Sequence, residues 1–242
     1  MKFKQILSKN FTKKPRNPTK IRFIVIHYTG MQSKRVSIKR LLSKKHKVSC
    51  HYLIDQKGEV TQMVLDKFPA WHAGKSKWKN FKNLNKNSIG IELHNKGHEF
   101  GYQNFSNSQI ISLINLCKNL KKKYKISIEN FLGHSDIAPL RKLDPGEKFP
   151  WKKLSNYKLG CWHRNNKKKT KFTKSKEVEN LFFKNLFKIG YRYFKINSRE
   201  VKNDTRIIKS FQQRYTPKKI SGKIDKKTFK ISHFLANKSK LT

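Results

Sequence analysis

Apolar positions along the chain recur in patterns that predict strands alternating with helices. The run Phe23 to Tyr28 is β-branched and aromatic and closes at Thr29-Gly30, which is typical of a buried strand. Two further apolar runs flank the turn at residues 56–58 and predict a hairpin. Strands are predicted over residues 23–28, 50–55, 59–64 and 88–94, and helices over residues 37–46 and 108–123. This alternation indicates a sheet domain of the α/β or α+β class.

The C-terminal part of the chain repeats a helical pattern three times. Helices are predicted over residues 178–189, 203–215 and 225–236, and Gly190 is a C-cap signal for the first. The predicted division is a basic flexible arm over residues 1–20, a sheet domain over 21–159, a basic linker over 160–176 and a three-helix domain over 177–242. The three-helix unit is small for a core of its own, so we expect it to lean on the first domain or to act as a binding module.

Composition adds an extreme excess of positive charge. The 242 residues include 58 Lys+Arg against 14 Asp+Glu, which gives a formal net charge of +44. Such an excess attracts polyanions such as nucleic acid, anionic lipid or an acidic wall polymer. Lysines scattered over tolerant surface positions would give the same net charge without a selected partner, so both interpretations stay open. An apolar content of 36%, with 17 Phe, excludes a wholly disordered chain.

Neither an export signal nor a membrane span is evident in the sequence. The longest apolar run of the basic first twenty residues is Ile6-Leu7, which is too short for a signal-peptide core. No stretch approaches the ~20 apolar residues of a transmembrane segment. Cys50, Cys117 and Cys161 are odd in number and widely spaced, which favours reduced thiols over a disulfide framework or a cysteine metal site.

Two histidines and one aspartate are candidate metal ligands. His27 ends the first predicted strand on the face of Phe23 and Val25, where a single histidine is more often structural. His134 and Asp144 stand ten residues apart in a loop that follows a short apolar strand. Two imidazoles and one carboxylate, with a fourth position left for water, form the ligand set of a catalytic zinc site. Such a site suits the hydrolysis of an unreactive amide.

Glu92 and Lys142 are candidate catalytic residues. Glu92 lies inside a predicted strand, on the face opposite Ile89 and Ile91. A carboxylate near a metal can take the proton of an attacking water, although a strand carboxylate paired with a lysine is the structural alternative. Lys142 precedes Asp144 by two residues and could stabilise a developing oxyanion. Its alternative is one more solvated lysine, which is the commoner case in this chain.

Five segments in the same order resemble the zinc-dependent N-acetylmuramoyl-L-alanine amidases of type 2, relatives of the peptidoglycan-recognition proteins. They are IVIHYTG (24–30), SCHYLIDQKGEVTQMV (49–64), AWHAG (70–74), NSIGIEL (87–93) and GHSDIAPLRKLDPGEKFPW (133–151). The resemblance implies a mixed central sheet flanked by helices. It also implies hydrolysis of the amide bond between the lactyl group of N-acetylmuramic acid and L-alanine, in peptidoglycan or in muropeptides.

The resemblance also implies roles for individual residues. His27, His134 and Asp144 would be the ligands of Zn2+, Glu92 the general base and Lys142 its electrostatic partner. Trp71 and His72 would belong to the loop that lines the substrate groove. A purely structural role, with Trp71 packed in the fold and His72 as its neighbour, is almost as well supported. The pattern over residues 189–228 resembles a three-helix peptidoglycan-binding domain.

Alternatives remain at the level of function and location. A non-catalytic peptidoglycan-binding protein is disfavoured because all three ligand positions are filled. A specific nucleic-acid partner rests on charge alone, since the aromatic residues do not interleave with lysines on a sheet face. The extra domain and the HYTG motif favour the envelope branch of the family, whereas the missing signal peptide favours a cytoplasmic enzyme that acts on imported fragments.

Overall fold

A mixed six-stranded sheet forms the centre of the protein. The computed structural model describes residues 3–163, 172–173, 175–196 and 200–238. Its strands are β1 (Lys4–Gln5), β2 (Phe23–Tyr28), β3 (Tyr52–Ile54), β4 (Val60–Gln62), β5 (Lys77–Trp78), β6 (Phe81–Lys82), β7 (Ser88–Leu93) and β8 (Phe131–Gly133). The order of strands in the sheet is β1-β4-β3-β7-β2-β8. Strand β3 is antiparallel to β4, and the other neighbouring strands are parallel. Strands β5 and β6 form a separate antiparallel ribbon. The predicted mixed sheet is confirmed.

Helices flank this sheet and form the C-terminal part. They are α1 (Lys34–Leu42), α2 (Asn107–Tyr124), α3 (His134–Ile137), α4 (Trp151–Asn156), α5 (Lys176–Ile189), α6 (Val201–Tyr215) and α7 (Lys226–Lys238). Helix α1 begins earlier than predicted because the Ser33 hydroxyl accepts a hydrogen bond from the amide of Val36 and caps the first turn. A short 3-10 turn at Lys44–His46 follows α1, so the segment predicted as one helix contains two elements.

Strand β2 has a hydrophobic core on each face. Ile24 and Ile26 belong to a buried cluster that includes the inner face of α2. Phe23 and Val25 point the other way and belong to a second cluster. Because β2 is parallel to both β7 and β8, the carboxyl ends of these three strands meet at one edge of the sheet. In α/β sheets this edge is where ligands bind.

The predicted flexible arm is wrong for residues 3–20. Strand β1 pairs with β4, and the amide of Ser8 donates to the carbonyl of Met63. Arg16 is buried, and its guanidinium donates to the carbonyls of Asp66, Asn85 and Ser88. These backbone and side-chain hydrogen bonds hold the segment against the sheet domain despite its basic composition.

The C-terminal helices share the second core with the sheet domain. Phe182 of α5 and Phe211 of α6 lie in the same buried cluster as Phe23 and Val25 of β2. The three helices α5, α6 and α7 match the predicted positions. The linker predicted over 160–176 lies mostly outside the described residues, and the domain boundaries stay a prediction. Across the part of the chain that the structure describes, no helix combines the length and apolar character needed to cross a membrane.

Candidate active site

Strand register brings three of the predicted site residues to the same edge of the sheet. His27 of β2 is the register partner of Glu92 of β7. On the other side of β2, Ile26 pairs with Gly133 of β8, and His134 comes directly after Gly133. Neighbouring strands lie about 4.8 Å apart, so the carboxyl end of β2 places His27 between Glu92 and His134.

Asp144 completes a triangle of potential ligand atoms with the two histidines. Nδ1 of His27 lies 3.0 Å from Nδ1 of His134 and 2.9 Å from Oδ2 of Asp144, and Nδ1 of His134 lies 3.0 Å from the same oxygen. Ligand atoms in a tetrahedral zinc site with bonds of about 2.0–2.2 Å are about 3.4 Å apart. Among the histidine, cysteine, aspartate and glutamate side chains of the described residues, these three are close enough together to hold a metal ion.

The loop that carries Asp144 is tied to the start of α3. The amide of Ser135 donates to the carbonyl of Asp144 (2.8 Å), and the amide of Lys142 donates to the carbonyl of Ala138 (3.1 Å). These bonds fold the segment between His134 and Asp144 back on itself. Two residues that are ten positions apart therefore meet on one side of His27.

The second nitrogen of His134 has its own acceptor. Nε2 of His134 lies 3.1 Å from the carbonyl oxygen of Ala73, which can only accept, so Nε2 carries the proton and Nδ1 offers its lone pair to the triangle. The Arg141 guanidinium is 3.3 Å from the same nitrogen but donates to the carbonyls of Ala73 and Lys75. An outward N–H bonded to a carbonyl is the usual arrangement of a metal-ligating histidine.

Burial and mutual proximity set the charges of the cluster. Burial, reinforced by the neighbouring His134, lowers the pKa of His27 to about 4. Burial opposes ionisation of Asp144, but the two imidazoles outweigh it and hold its pKa below the usual range. Burial also lowers the pKa of His72, and nearby histidines lower it further. A neutral imidazole and an ionised carboxylate are the states in which these groups bind a metal cation, so the states of His27 and Asp144 fit zinc.

Glu92 is buried next to this triangle without a hydrogen-bond partner for one of its oxygens. The residue is 8% exposed, and Oε2 has no partner among the described residues. Burial, together with the negative charge of Asp144, raises the pKa of Glu92 to about 8, and Lys142 opposes this rise. A carboxylate with a free oxygen and a raised pKa beside a metal site is suited to accept a proton.

A cavity of about 460 Å³ opens over these groups. His27, His134 and Asp144 lie in its wall together with Glu92 and Lys142. The structure therefore brings together the five predicted metal-binding and catalytic residues around one space. Their functional roles stay predictions.

Trp71 and His72, predicted in the substrate groove, lie in different surroundings. His72 contributes to the cavity wall but is buried, with Nδ1 3.0 Å from Nε2 of His27. The Trp71 indole N–H donates to the hydroxyl of Thr12 in the N-terminal segment (3.2 Å). Contact between either residue and substrate stays a prediction.

Three groups around the site were missed by reasoning from the sequence. They are the Ala73 carbonyl, the Ser88 hydroxyl that lies beside His72, and the Arg141 guanidinium. Gly90 inside β7 was the available signal, because a glycine in a strand interior marks the close approach of another group. The ring of His72 occupies the space beside it.

Comparisons with known proteins show which family this chain resembles. A family model described as N-acetylmuramoyl-L-alanine amidase matches residues 17–147. The N-acetylmuramoyl-L-alanine amidase AmiD of Escherichia coli is 33% identical in an alignment that covers 90% of this chain and 83% of AmiD. The 1,6-anhydro-N-acetylmuramyl-L-alanine amidase AmpD of Haemophilus influenzae is 36% identical over 64% of this chain and 92% of its own length.

Solved structures extend the similarity to nearly the whole chain. AmiD of Escherichia coli, in complex with the substrate anhydro-N-acetylmuramic acid-L-Ala-D-γ-Glu-L-Lys, superposes with a TM-score of 0.80 at 31% identity. The match covers 94% of this chain and 92% of that one. AmpDh3 of Pseudomonas aeruginosa, in complex with anhydromuramic pentapeptide, superposes with a TM-score of 0.79 at 28% identity, covering 94% and 95% of the two chains.

Proposed function

The chain belongs to the N-acetylmuramoyl-L-alanine amidase family and hydrolyses the amide bond between N-acetylmuramic acid and L-alanine, and we propose that it does so with zinc held by His27, His134 and Asp144. The observation that carries the zinc proposal is the convergence of three potential ligand atoms, 2.9–3.0 Å apart, in the wall of one cavity. When bound, zinc would supply Lewis-acid activation of a water molecule and of the scissile carbonyl.

Glu92 is the proposed general base. Glu92 lies in the same cavity wall as the ligand triangle, and its buried Oε2 has no hydrogen-bond partner among the described residues. Its raised pKa makes the carboxylate a stronger base than an exposed one. Glu92 takes a proton from the attacking water, whose oxygen joins the lactyl carbonyl carbon. The same carboxyl group then returns a proton to the alanine nitrogen as the C–N bond breaks.

Lys142 is the proposed electrostatic partner. It lies in the cavity wall two residues from Asp144, and its positive charge lowers the pKa of Glu92. A cation at this place favours the negative charge that develops on the carbonyl oxygen during attack. Lys142 thus stabilises charge, while Glu92 moves the proton.

The proposed substrates are peptidoglycan or its soluble muropeptide fragments. Support comes from AmiD and AmpDh3, two similar proteins whose structures hold anhydromuropeptides. The cavity of about 460 Å³ has room for the lactyl–alanine junction together with part of the flanking groups.

Metal content tests the proposed ligand set. We expect purified protein to bind one zinc per chain and His134→Ala to lose both the zinc and the activity, because only two donor atoms of the triangle remain. His233→Ala is the matched control, since His233 is exposed on α7. Stoichiometric zinc in His134→Ala would overturn the ligand assignment.

A further inference from the structure

The nitrogen of His27 that faces away from the ligand triangle has a specific partner. Nε2 of His27 lies 3.0 Å from Nδ1 of His72, and the two rings meet edge to face at 84°. Both side chains are buried, with His27 2% and His72 6% exposed. Neither proton transfer by Glu92 nor charge stabilisation by Lys142 uses this contact.

The hydrogen bonds beyond His72 determine the direction of this contact. The Ser88 hydroxyl donates to the carbonyl of Leu84 (2.6 Å), which can only accept. The Ser88 oxygen is therefore left to accept from Nε2 of His72, 3.1 Å away. A neutral imidazole carries one N–H, so Nδ1 of His72 is an acceptor, and His27 donates its Nε2–H to it. This leaves the lone pair of His27 on Nδ1, at the ligand triangle.

We propose that His72 is a positioning residue of the metal site, which holds His27 in the one tautomer and ring orientation that can bind a metal through Nδ1. The inference rests on the proposed function, because it assumes that His27 is a zinc ligand. Partners of this kind typically change metal affinity 10–100-fold when they are removed.

The chain makes room for His72 at one position of β7. A Cβ atom at Gly90 would lie 2.3 Å from Cγ and 2.5 Å from Nδ1 of the His72 ring. Real Cβ contacts are not this short, so any larger residue at position 90 must displace the ring. Gly90 and His72 therefore act as one unit, although they are far apart in the sequence.

The segment that carries His72 is itself held in place and reaches both histidine ligands. The side-chain oxygen of Asn85 accepts from the backbone amides of His72 (3.1 Å) and Ala73 (2.7 Å). The carbonyl of Ala73 accepts from Nε2 of His134. Adjacent residues thus fix the outward nitrogens of His27 and His134, one through a side chain and the other through the backbone.

Zinc affinity of the full-length protein tests this role with two substitutions at one position. Zinc is titrated into metal-free protein against a chelator of known affinity. We expect His72→Leu to bind zinc 10–100-fold more weakly than the wild type. His72→Asn keeps an acceptor oxygen near the position of Nδ1, so we expect it to recover a large part of that loss. A purely structural role would not separate the two variants in this way.

Gly90→Ala is a second test that removes no polar side chain. We expect it to weaken zinc binding, as His72→Leu does, because the added Cβ displaces the His72 ring. In the metal-free wild type, nitrogen-15 NMR of His27 should report a protonated Nε2, and His72→Leu should lose this preference. The Gly90→Ala titration and the wild-type NMR measurement apply even if His72→Leu folds poorly.

The outcomes separate the inference from the proposed function. If the wild type binds no zinc, the proposed zinc site itself is wrong. The same holds if His134→Ala binds zinc as tightly as the wild type does. If the wild type binds zinc at the triangle but His72→Leu and Gly90→Ala bind it equally tightly, the positioning role alone is overturned. Equal weakening by His72→Leu and His72→Asn would likewise contradict a role for the acceptor at position 72.

Discussion

At the scale of single residues, Glu92 lies in surroundings unlike those of an ordinary exposed carboxylate. It is one of 14 acidic residues in a chain with 58 Lys+Arg, yet Oε2 has no partner among the described residues. Burial and the charge of Asp144 raise its pKa to about 8. Such isolation destabilises the ionised form and is consistent with a role in proton transfer.

The replacement Glu92→Gln separates chemistry from structure. We expect the variant to keep its fold and its zinc but to lose about 10²–10⁴-fold in kcat, because the amide cannot accept the proton. Steady-state kinetics and metal analysis check both expectations. The control is Glu129→Gln, at an exposed carboxylate. A near-wild-type kcat in Glu92→Gln would assign the proton transfer to another group.

At the scale of secondary-structure elements, Asp66 connects β3 to the end of α2. Its carboxylate accepts from the hydroxyls of Tyr52 (2.7 Å) and Tyr124 (2.6 Å) and pairs with Lys123 (3.1 Å). Burial opposes its ionisation, but the two tyrosine hydrogen bonds, with His51 and Lys123, outweigh it and lower the pKa of Asp66. The ionised form therefore stabilises the contact between strand and helix.

The replacement Asp66→Asn should show this in the pH dependence of stability. We expect it to lower the free energy of unfolding by about 2 kcal/mol at pH 7. Because the pKa of Asp66 is lower in the folded protein than in the unfolded one, its ionisation stabilises the fold at any pH above the unfolded-state pKa of about 3.9. This stabilisation is lost as the pH falls through the folded-state pKa. The difference from wild type should shrink below about pH 4 in urea unfolding. A difference independent of pH would mean that packing, not charge, is lost.

The extent to which the sequence predicts the structure differs from one element to the next. Strand β2 follows directly from its continuous apolar run, because both of its faces are buried, and helix α2 follows from the apolar periodicity of its buried face. Arg16 could not be predicted in the same way, because its burial depends on carbonyl groups of three distant loop and strand positions. The five site residues were found by motif and resemblance, whereas the contact of His72 with His27 required the path of the loop that carries it.

At the scale of the whole molecule, the C-terminal helices hold the segment that carries His134. Arg214 of α6 pairs with Asp136 of α3 in a buried ion pair and donates to the carbonyl of Phe131 (3.0 Å). The hydroxyls of Tyr191 and Ser210 donate to the Asp136 carboxylate and the Ser135 carbonyl. The three-helix unit is thus packed against the active-site scaffold, and its binding to peptidoglycan stays a prediction.

The replacement Arg214→Met tests this packing. We expect a loss of about 3–5 kcal/mol in the free energy of unfolding, because the Asp136 carboxylate stays buried without its partner. The control is Lys219→Met, which removes the exposed partner of Asp225 and should change stability by less than about 1 kcal/mol. Equal effects of the two variants in thermal or urea unfolding would show that the buried pair does not join the two parts.

The most direct test of the account is the bond that the enzyme breaks. Zinc-loaded full-length protein is incubated with a defined soluble muropeptide in water enriched in oxygen-18, and the products are weighed by mass spectrometry. The account predicts a free peptide that begins with L-alanine, and a muramic acid product that carries one oxygen-18 in its lactyl carboxylate. Cleavage at another bond, or label in the peptide product, would contradict it.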